Sequence, residues 1–139
     1  MNRIKIVLDT NVLYSGLYSS RGASYRLFRA LSENRINLVI STALLFEYEE
    51  ILKRNKRNLM LSNRDIDIIL GNLCRLSEHP KIYFLWRPFL SDPKDDHILE
   101  LAVASGANAI VTYNIRNFQN IGEFGIRAIK PQTLLEELK

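Results

Sequence analysis

The sequence predicts an α/β fold in which parallel strands alternate with helices that cover both faces of one sheet. Three observations predict it. Short, nearly all apolar runs recur along the chain, as strands buried on both faces require. The stretches between them are long enough for crossover helices and carry apolar residues at helical spacing. Capping residues, Gly and Pro stand where one pattern gives way to the other.

"IKIVLD" (4–9) is short, β-branched and nearly all apolar and reads as a central strand. In "SSRGASYRLFRALSENR", Leu27, Phe28 and Leu31 recur at helical spacing after Gly22, which predicts a helix over 23–33. "INLVIS" (36–41) is a second strand. Ser41 or Thr42 can cap the helix that follows, "ALLFEYEEILKRN", running to about residue 57. Ser62 can cap the next helix, to about residue 76, with Ile66, Ile69, Leu70 and Leu73 on one stripe. "KIYFLW" (81–86), closed by Pro88, is a third strand. "SDPKDDHILELAVASGA" predicts a helix over 93–105, with Pro93 in its first turn and Gly106 at its end. "NAIVTY" (108–113) and the weaker "FGIRAIK" (124–130) are the fourth and fifth strands, and Pro131 opens a final short helix. Such an alternation implies right-handed crossovers.

The 139 residues are 47% apolar, enough for a substantial core, and no composition break marks a linker, so one domain over residues 1–139 is expected. Cys74 is the lone cysteine, which excludes an intrachain disulfide and a four-thiolate zinc site. Aliphatic runs end well short of 18 residues, so neither a signal peptide nor a membrane span is expected. The formal net charge of +4 favours a polyanionic partner only slightly, and Lys53, Arg54, Lys56 and Arg57 form a local basic run.

In open α/β sheets ligands gather beyond the C-terminal strand ends. Asp9 stands at that end of the first strand, Ser41 of the second, and Thr112 and Asn114 of the fourth. Glu47 shares a helical side with Leu44 and Ile51, and Asp95 shares one with Ile98, Leu99 and Ala102; Asp96 lies about 100° away. His97 falls on a different side of that helix from Asp95. Three acids from three elements can therefore meet above the sheet. Their mutual repulsion raises pKa values unless a cation joins them, and an oxygen-only set suits Mg²⁺ or Mn²⁺. From the pattern alone a plainer account stands beside this one: Asp9 caps a loop, Glu47 is solvated and Asp95 caps its helix.

"IVLDTNVLYSGL", "STALLFEYEEIL", "DPKDDHILELAVASGANAIVTYNIRNF" and "IKPQTLLEEL", in this order over residues 4–137, resemble successive landmarks of the PIN domain, in the branch described as the toxin of a toxin–antitoxin pair. The resemblance implies a three-layer α/β/α fold with a parallel sheet in the order 3-2-1-4-5. It also implies a Mg²⁺- or Mn²⁺-dependent endoribonuclease in the cytoplasm of a bacterium or archaeon, restrained by an antitoxin and forming a homodimer. The family's metal-holding acids fall on Asp9, Glu47 and Asp95, and its further polar catalytic position on Asn114. Many members carry Asp at position 114 or 117, where this chain has Asn at both. Asn adds neither charge nor a base, which speaks against a second metal, while three carboxylates remain enough for one ion. An RNA- or protein-binding module with little catalysis is the alternative. A nucleotide-binding α/β domain lacks support, because no Gly-rich loop follows the first strand.

Around this set, Asn11 is a candidate brace for Asp9, and Ser41 and Thr112 are candidates for ordering the rim. Tyr14 and Tyr18 lie near it, and Arg21 and Arg116 are candidates for holding an RNA backbone. Asp92 and Asp96 merely flank the key acid. Tyr83 and Trp86 read as core, and His79 as a loop residue.

Overall fold

A computed structural model describes residues 3–19, 22–81, 90 and 92–138. Five parallel strands, β1 (Ile4–Leu8), β2 (Ile36–Val39), β3 (Ser77–Glu78), β4 (Ala109–Val111) and β5 (Arg127–Ile129), form one sheet in the order β3-β2-β1-β4-β5. The helices are α1 (Thr10–Tyr18), α2 (Ala23–Ser32), α3 (Thr42–Arg54), α4 (Lys56–Leu59), α5 (Asn63–Arg75), α6 (Asp96–Ser105) and α7 (Pro131–Glu137). Together with the sheet they make the three-layer α/β/α arrangement expected. β1 is central, in register with β2 through Ile4↔Ile36 to Val7↔Val39 and with β4 through Ile6↔Ala109 to Leu8↔Val111.

Burial follows from this position. Ile6, Val7 and Leu8 are almost fully buried, as are Leu38, Val39, Ile110 and Val111 beside them. Leu13, Leu27, Leu44, Leu52, Ile66, Ile98, Leu99 and Leu134 close the core from the helices. Ser62 accepts from the Asp65 N–H while the Asp65 carboxylate accepts from the Ser62 N–H, a reciprocal cap that fixes the start of α5. Gly106 ends α6 with φ of 69°, the left-handed conformation that residues with a Cβ adopt only with strain.

Some expectations need correction. A helix, α1, begins immediately after Asp9, where no element was foreseen. The helix expected to reach residue 57 stops at Arg54, Asn55 breaks it, and the short α4 follows. The third strand lies at Ser77–Glu78, paired with Leu38 and Val39, rather than at 81–86. Lys81 is outside any strand, and 82–86, with Tyr83 and Trp86, fall outside the described residues.

Candidate active site at the C-terminal edge of the sheet

The ladder continues one residue beyond each strand. Asp9 N–H donates to the Val111 carbonyl (2.9 Å), Thr112 N–H to the Ile129 carbonyl (2.9 Å) and Ile40 N–H to the Glu78 carbonyl (3.0 Å). Asp9 and Thr112 are therefore fixed along one edge by main-chain bonds, and Ile40 is held in the same way just before Ser41. Asp9 is also the cap of α1. Its Oδ1 accepts from the Thr10 N–H (2.9 Å), and its Oδ2 accepts from the Thr112 hydroxyl (2.7 Å). Thr112 Oγ1 in turn accepts from the Asn114 N–H (2.9 Å). Asp9 is buried, and burial pushes its pKa up; the bonds from Thr112 and Thr10 pull against that shift, while the charge of Glu47 adds to it.

Glu47 reaches this edge from α3. Thr10 donates its hydroxyl to Glu47 Oε2, so one residue links the two carboxylates, through its N–H to Asp9 and its hydroxyl to Glu47. The other oxygen, Oε1, meets His97 Nε2 at 3.2 Å. Burial opposes ionisation of Glu47, but the bonds from His97 and Thr10 outweigh it and hold the pKa below the ordinary value. Below Glu47, the next residue, Tyr48, is fully buried and donates its hydroxyl to the Leu8 carbonyl at 2.5 Å. This bond ties α3 to the last residue of β1.

Asp95 closes a 3-10 turn (Pro93–Asp95) that leads into α6. Half-buried and facing the charges of Asp9, Asp92 and Glu47, its carboxyl is pushed up to about 6, burial being the largest cause. Asp9, Glu47 and Asp95 thus all lie within one another's electrostatic reach. Asn114 is exposed at the start of the 3-10 turn Ile115–Phe118, connected to Asp9 through Thr112.

Two placements on α6 differ from the sequence expectation. Asp96 is not on an outer side: it is buried, and its Oδ1 accepts from the Leu90 N–H (2.8 Å), holding the segment before the 3-10 turn. His97 does not point elsewhere but contacts Glu47, with its Nδ1 buried and unpartnered among the described residues. For Nε2 to donate to Glu47, it must carry the proton. Thr10 and His97 are the residues the sequence reading missed at this site. A hydroxyl directly after the strand-end acid was the available signal for Thr10.

The remaining candidates separate clearly. Asn11 is exposed and makes no bond to Asp9, whose partners are Thr10 and Thr112. Ser41 caps α3 by accepting from the Leu44 N–H (3.1 Å). Tyr14 and Tyr18 stack on each other, with ring centres 5.8 Å apart. His79 is exposed and meets the Cys74 carbonyl. Arg21 falls outside the described residues, and Arg116 is exposed two residues beyond Asn114. Half of the basic run is neutralised locally, Lys53 by Asp67 and Glu49, and Arg54 by Glu50.

Among the described residues no three acidic, His or Cys side chains already stand in the arrangement of a metal cage. The donor chemistry nevertheless suits a hard divalent ion. The three carboxylates supply oxygen donors, and the burial and neighbouring charges that raise the Asp95 pKa both disfavour its ionised form, which a cation would favour.

A family profile described as the PIN domain matches residues 5–116. No curated protein sequence gives a significant match. The crystal structure of VapBC2 from Rickettsia felis, bound to a DNA fragment from their promoter, is similar in fold. The TM-score is 0.62 at 17% identity, covering 90% of this chain and 98% of that one. The profile match includes Asp9, Glu47, Asp95 and Asn114 and takes in most of the sheet. The chain belongs to the PIN domain family.

Proposed function

We propose that this chain is a Mg²⁺- or Mn²⁺-dependent endoribonuclease, with Asp9, Glu47 and Asp95 holding the ion and Asn114 as a fourth polar group at the reacting centre. The observation that carries the proposal is the delivery of three carboxylates from three elements to the C-terminal edge of a parallel sheet, with Thr10 bonded to both Asp9 and Glu47 and Asp95 feeling the charge of both. When bound, the ion supplies an activated water and neutralises charge on the phosphoryl oxygens. The chain's own residues do the positioning. Thr112 and the Thr10 N–H fix both oxygens of Asp9, and Thr10 with His97 fixes Glu47. Each carboxylate oxygen keeps lone-pair capacity beyond the single bond it accepts. Asn114 can donate to a substrate oxygen without adding repulsion. Arg116 supplies positive charge for the RNA backbone.

The same reading makes residues 1–139 one nuclease domain and the toxin half of a toxin–antitoxin pair, cytoplasmic and homodimeric. The likeness in fold to the toxin–antitoxin complex VapBC2 supports the partnership. So does an apolar cleft of about 180 Å³ lined by Leu13, Leu17, Phe28, Ile69, Leu73 and Leu76, the last of these half-exposed. Among the described residues no helix is long and apolar enough to cross a membrane.

A second reading, an RNA- or protein-binding module with little turnover, is favoured by one observation. Both oxygens of Glu47 already accept hydrogen bonds, while Asn114 and Asn117 bring no charge. Cleavage of single-stranded RNA by purified protein in Mn²⁺, compared with Asp9→Asn, separates the two. Asp9→Asn keeps the shape and removes a ligand charge, so cleavage is expected to fall by at least about 100-fold, the scale of losing one preorganised electrostatic contact. Absence of cleavage by the parent across several RNA sequences would overturn the nuclease reading. An Asp9→Asn variant as fast as the parent would do the same.

A further inference from the structure

We infer that Tyr113 is a preset stacking platform for one nucleobase of a single-stranded RNA, placed immediately beside the carboxylate site. The inference rests on the RNA-directed reading above and deepens it by naming a residue that contacts the substrate.

Tyr113 follows Thr112, whose hydroxyl donates to Asp9, and precedes Asn114, whose N–H returns to that hydroxyl. Its main chain is thereby locked on both sides to the hydrogen-bond system of the site. Its side chain, two residues beyond β4, crosses the rim to α2, where its hydroxyl and that of Ser24 share a hydrogen bond of 2.5 Å. Ser24 is 1% exposed, whereas Tyr113 is 40% exposed. A large aromatic this exposed normally samples several rotamers. Here the tip is tethered to a buried hydroxyl and the root to the rim, so the ring's orientation is set before any ligand arrives. Ordering it on binding therefore costs little rotamer entropy.

A part-exposed aromatic ring tethered at its tip suits a π-system rather than a phosphate, and stacking tolerates any base because every base has a π-face. The neighbouring residues supply the rest of a single-strand contact. Ile115 is 41% exposed on the next turn, and Arg116 beyond it offers a positive charge for the backbone. Tyr113 directly follows the Asp9-bound Thr112, so a nucleotide whose phosphate meets the carboxylate edge would carry an adjoining base toward this ring. A paired base in a duplex is already stacked and cannot use it, so the platform selects unpaired RNA.

The test is equilibrium anisotropy with a labelled single-stranded oligoribonucleotide and a set of the same strand with one abasic position moved along it. The background is Asp9→Asn in Mn²⁺, which keeps the RNA whole and removes one carboxylate from the path of the phosphates. One abasic position is expected to weaken binding about tenfold, equivalent to about 1.4 kcal/mol and within the range of a single base–aromatic stack. Adding Tyr113→Leu should weaken binding of the intact strand by the same factor, erase the penalty at that abasic position and leave the salt dependence unchanged, since no charge is lost. Adding Tyr113→Phe, which keeps the ring but loses the tether to Ser24, should retain the abasic penalty and bind the intact strand between the parent and Tyr113→Leu. If Tyr113→Leu unfolds, Tyr113→Ile takes its place as the ringless variant. A penalty that persists in Tyr113→Leu, an intact strand bound equally by both proteins, or no abasic penalty at any position would overturn the platform. Cleavage by the parent is scored separately. Binding with the stacking signature but no cleavage would overturn only the nuclease reading, and cleavage without the signature only the platform.

Discussion

Replacing Asp95 by Asn should make the metal-free protein more stable at neutral pH. The carboxyl of Asp95 is raised from 3.8 to about 6 by burial and by Asp9, Asp92 and Glu47. The folded state therefore holds this proton more tightly than the unfolded chain does. The sign follows: the group's contribution is fully present below about 3.8 and is lost as pH rises through about 6. At pH 7.5 an unscreened shift of that size would withhold about 3 kcal/mol, and solvent around a half-exposed carboxyl reduces this to about 1 kcal/mol. Asn resembles the protonated acid in shape and charge, so Asp95→Asn should recover that amount. Urea unfolding in EDTA should then show a gain of about 1 kcal/mol at pH 7.5, or about 3 °C in a thermal melt of a chain this size, and almost none at pH 4. Saturating Mn²⁺ should reverse the ranking, because an ion at 100 times its Kd stabilises the parent by about 2.7 kcal/mol and the variant by less. A variant less stable than the parent at pH 7.5 without metal, or one with the same gain at both pH values, would refute the idea that ionising Asp95, half-buried beside other acids, costs the fold stability.

Thr112→Val removes the donor to Asp9 and the acceptor for the Asn114 N–H while conserving volume. Because it leaves a buried carboxylate oxygen short of a partner, it should cost about 2 kcal/mol in denaturant unfolding, and a loss below about 0.5 kcal/mol would count against the relay. Gly16→Ala drives a methyl group into the ring of Phe28, a repacking cost of about 1–3 kcal/mol that exceeds the gain of about 1 kcal/mol in helix propensity. The single variant should melt lower than the parent, and adding Phe28→Leu should recover stability; a single variant that melts higher would show that α1 and α2 adjust freely.

What the sequence disclosed depended on how strongly each element patterns itself. β1, β2 and β4 are legible because covered parallel strands must be apolar throughout, and α2 and α5 because one face of each is apolar. β3 is a two-residue edge pairing of Ser77 and Glu78, with no apolar signal to find. The start of α6 defeats an argument from phase alone. Asp96 and His97 are the first two residues of the helix proper, after the 3-10 turn at 93–95, and contacts with Leu90 and Glu47 decide where their side chains go. The helix is also buried on most sides, with Asp96, Ile98, Leu99, Glu100, Leu101 and Ala102 all inaccessible. A single-stripe argument therefore had little power to place Asp96 and His97. Asp9 drew attention because an acid ends an apolar strand, but its two partners come from Thr10 and from Thr112, over a hundred residues away, and only the fold brings the latter near.

Asp9 belongs to two structures at once: its N–H is the last rung between β1 and β4, and its carboxylate is the cap from which α1 begins. No loop separates strand from helix there, so this part of the edge has no hinge. Asp9 can move only if a sheet rung and a helix cap break together, and such breakage belongs to unfolding of the central sheet rather than to local breathing. Any adjustment of the edge to an incoming strand is therefore left to the Asp95 side, where the carboxylate sits on a 3-10 turn rather than at a strand end. The site then behaves as a fixed anvil of Asp9, Thr112 and the Asn114 N–H, with its jaw at the entry to α6.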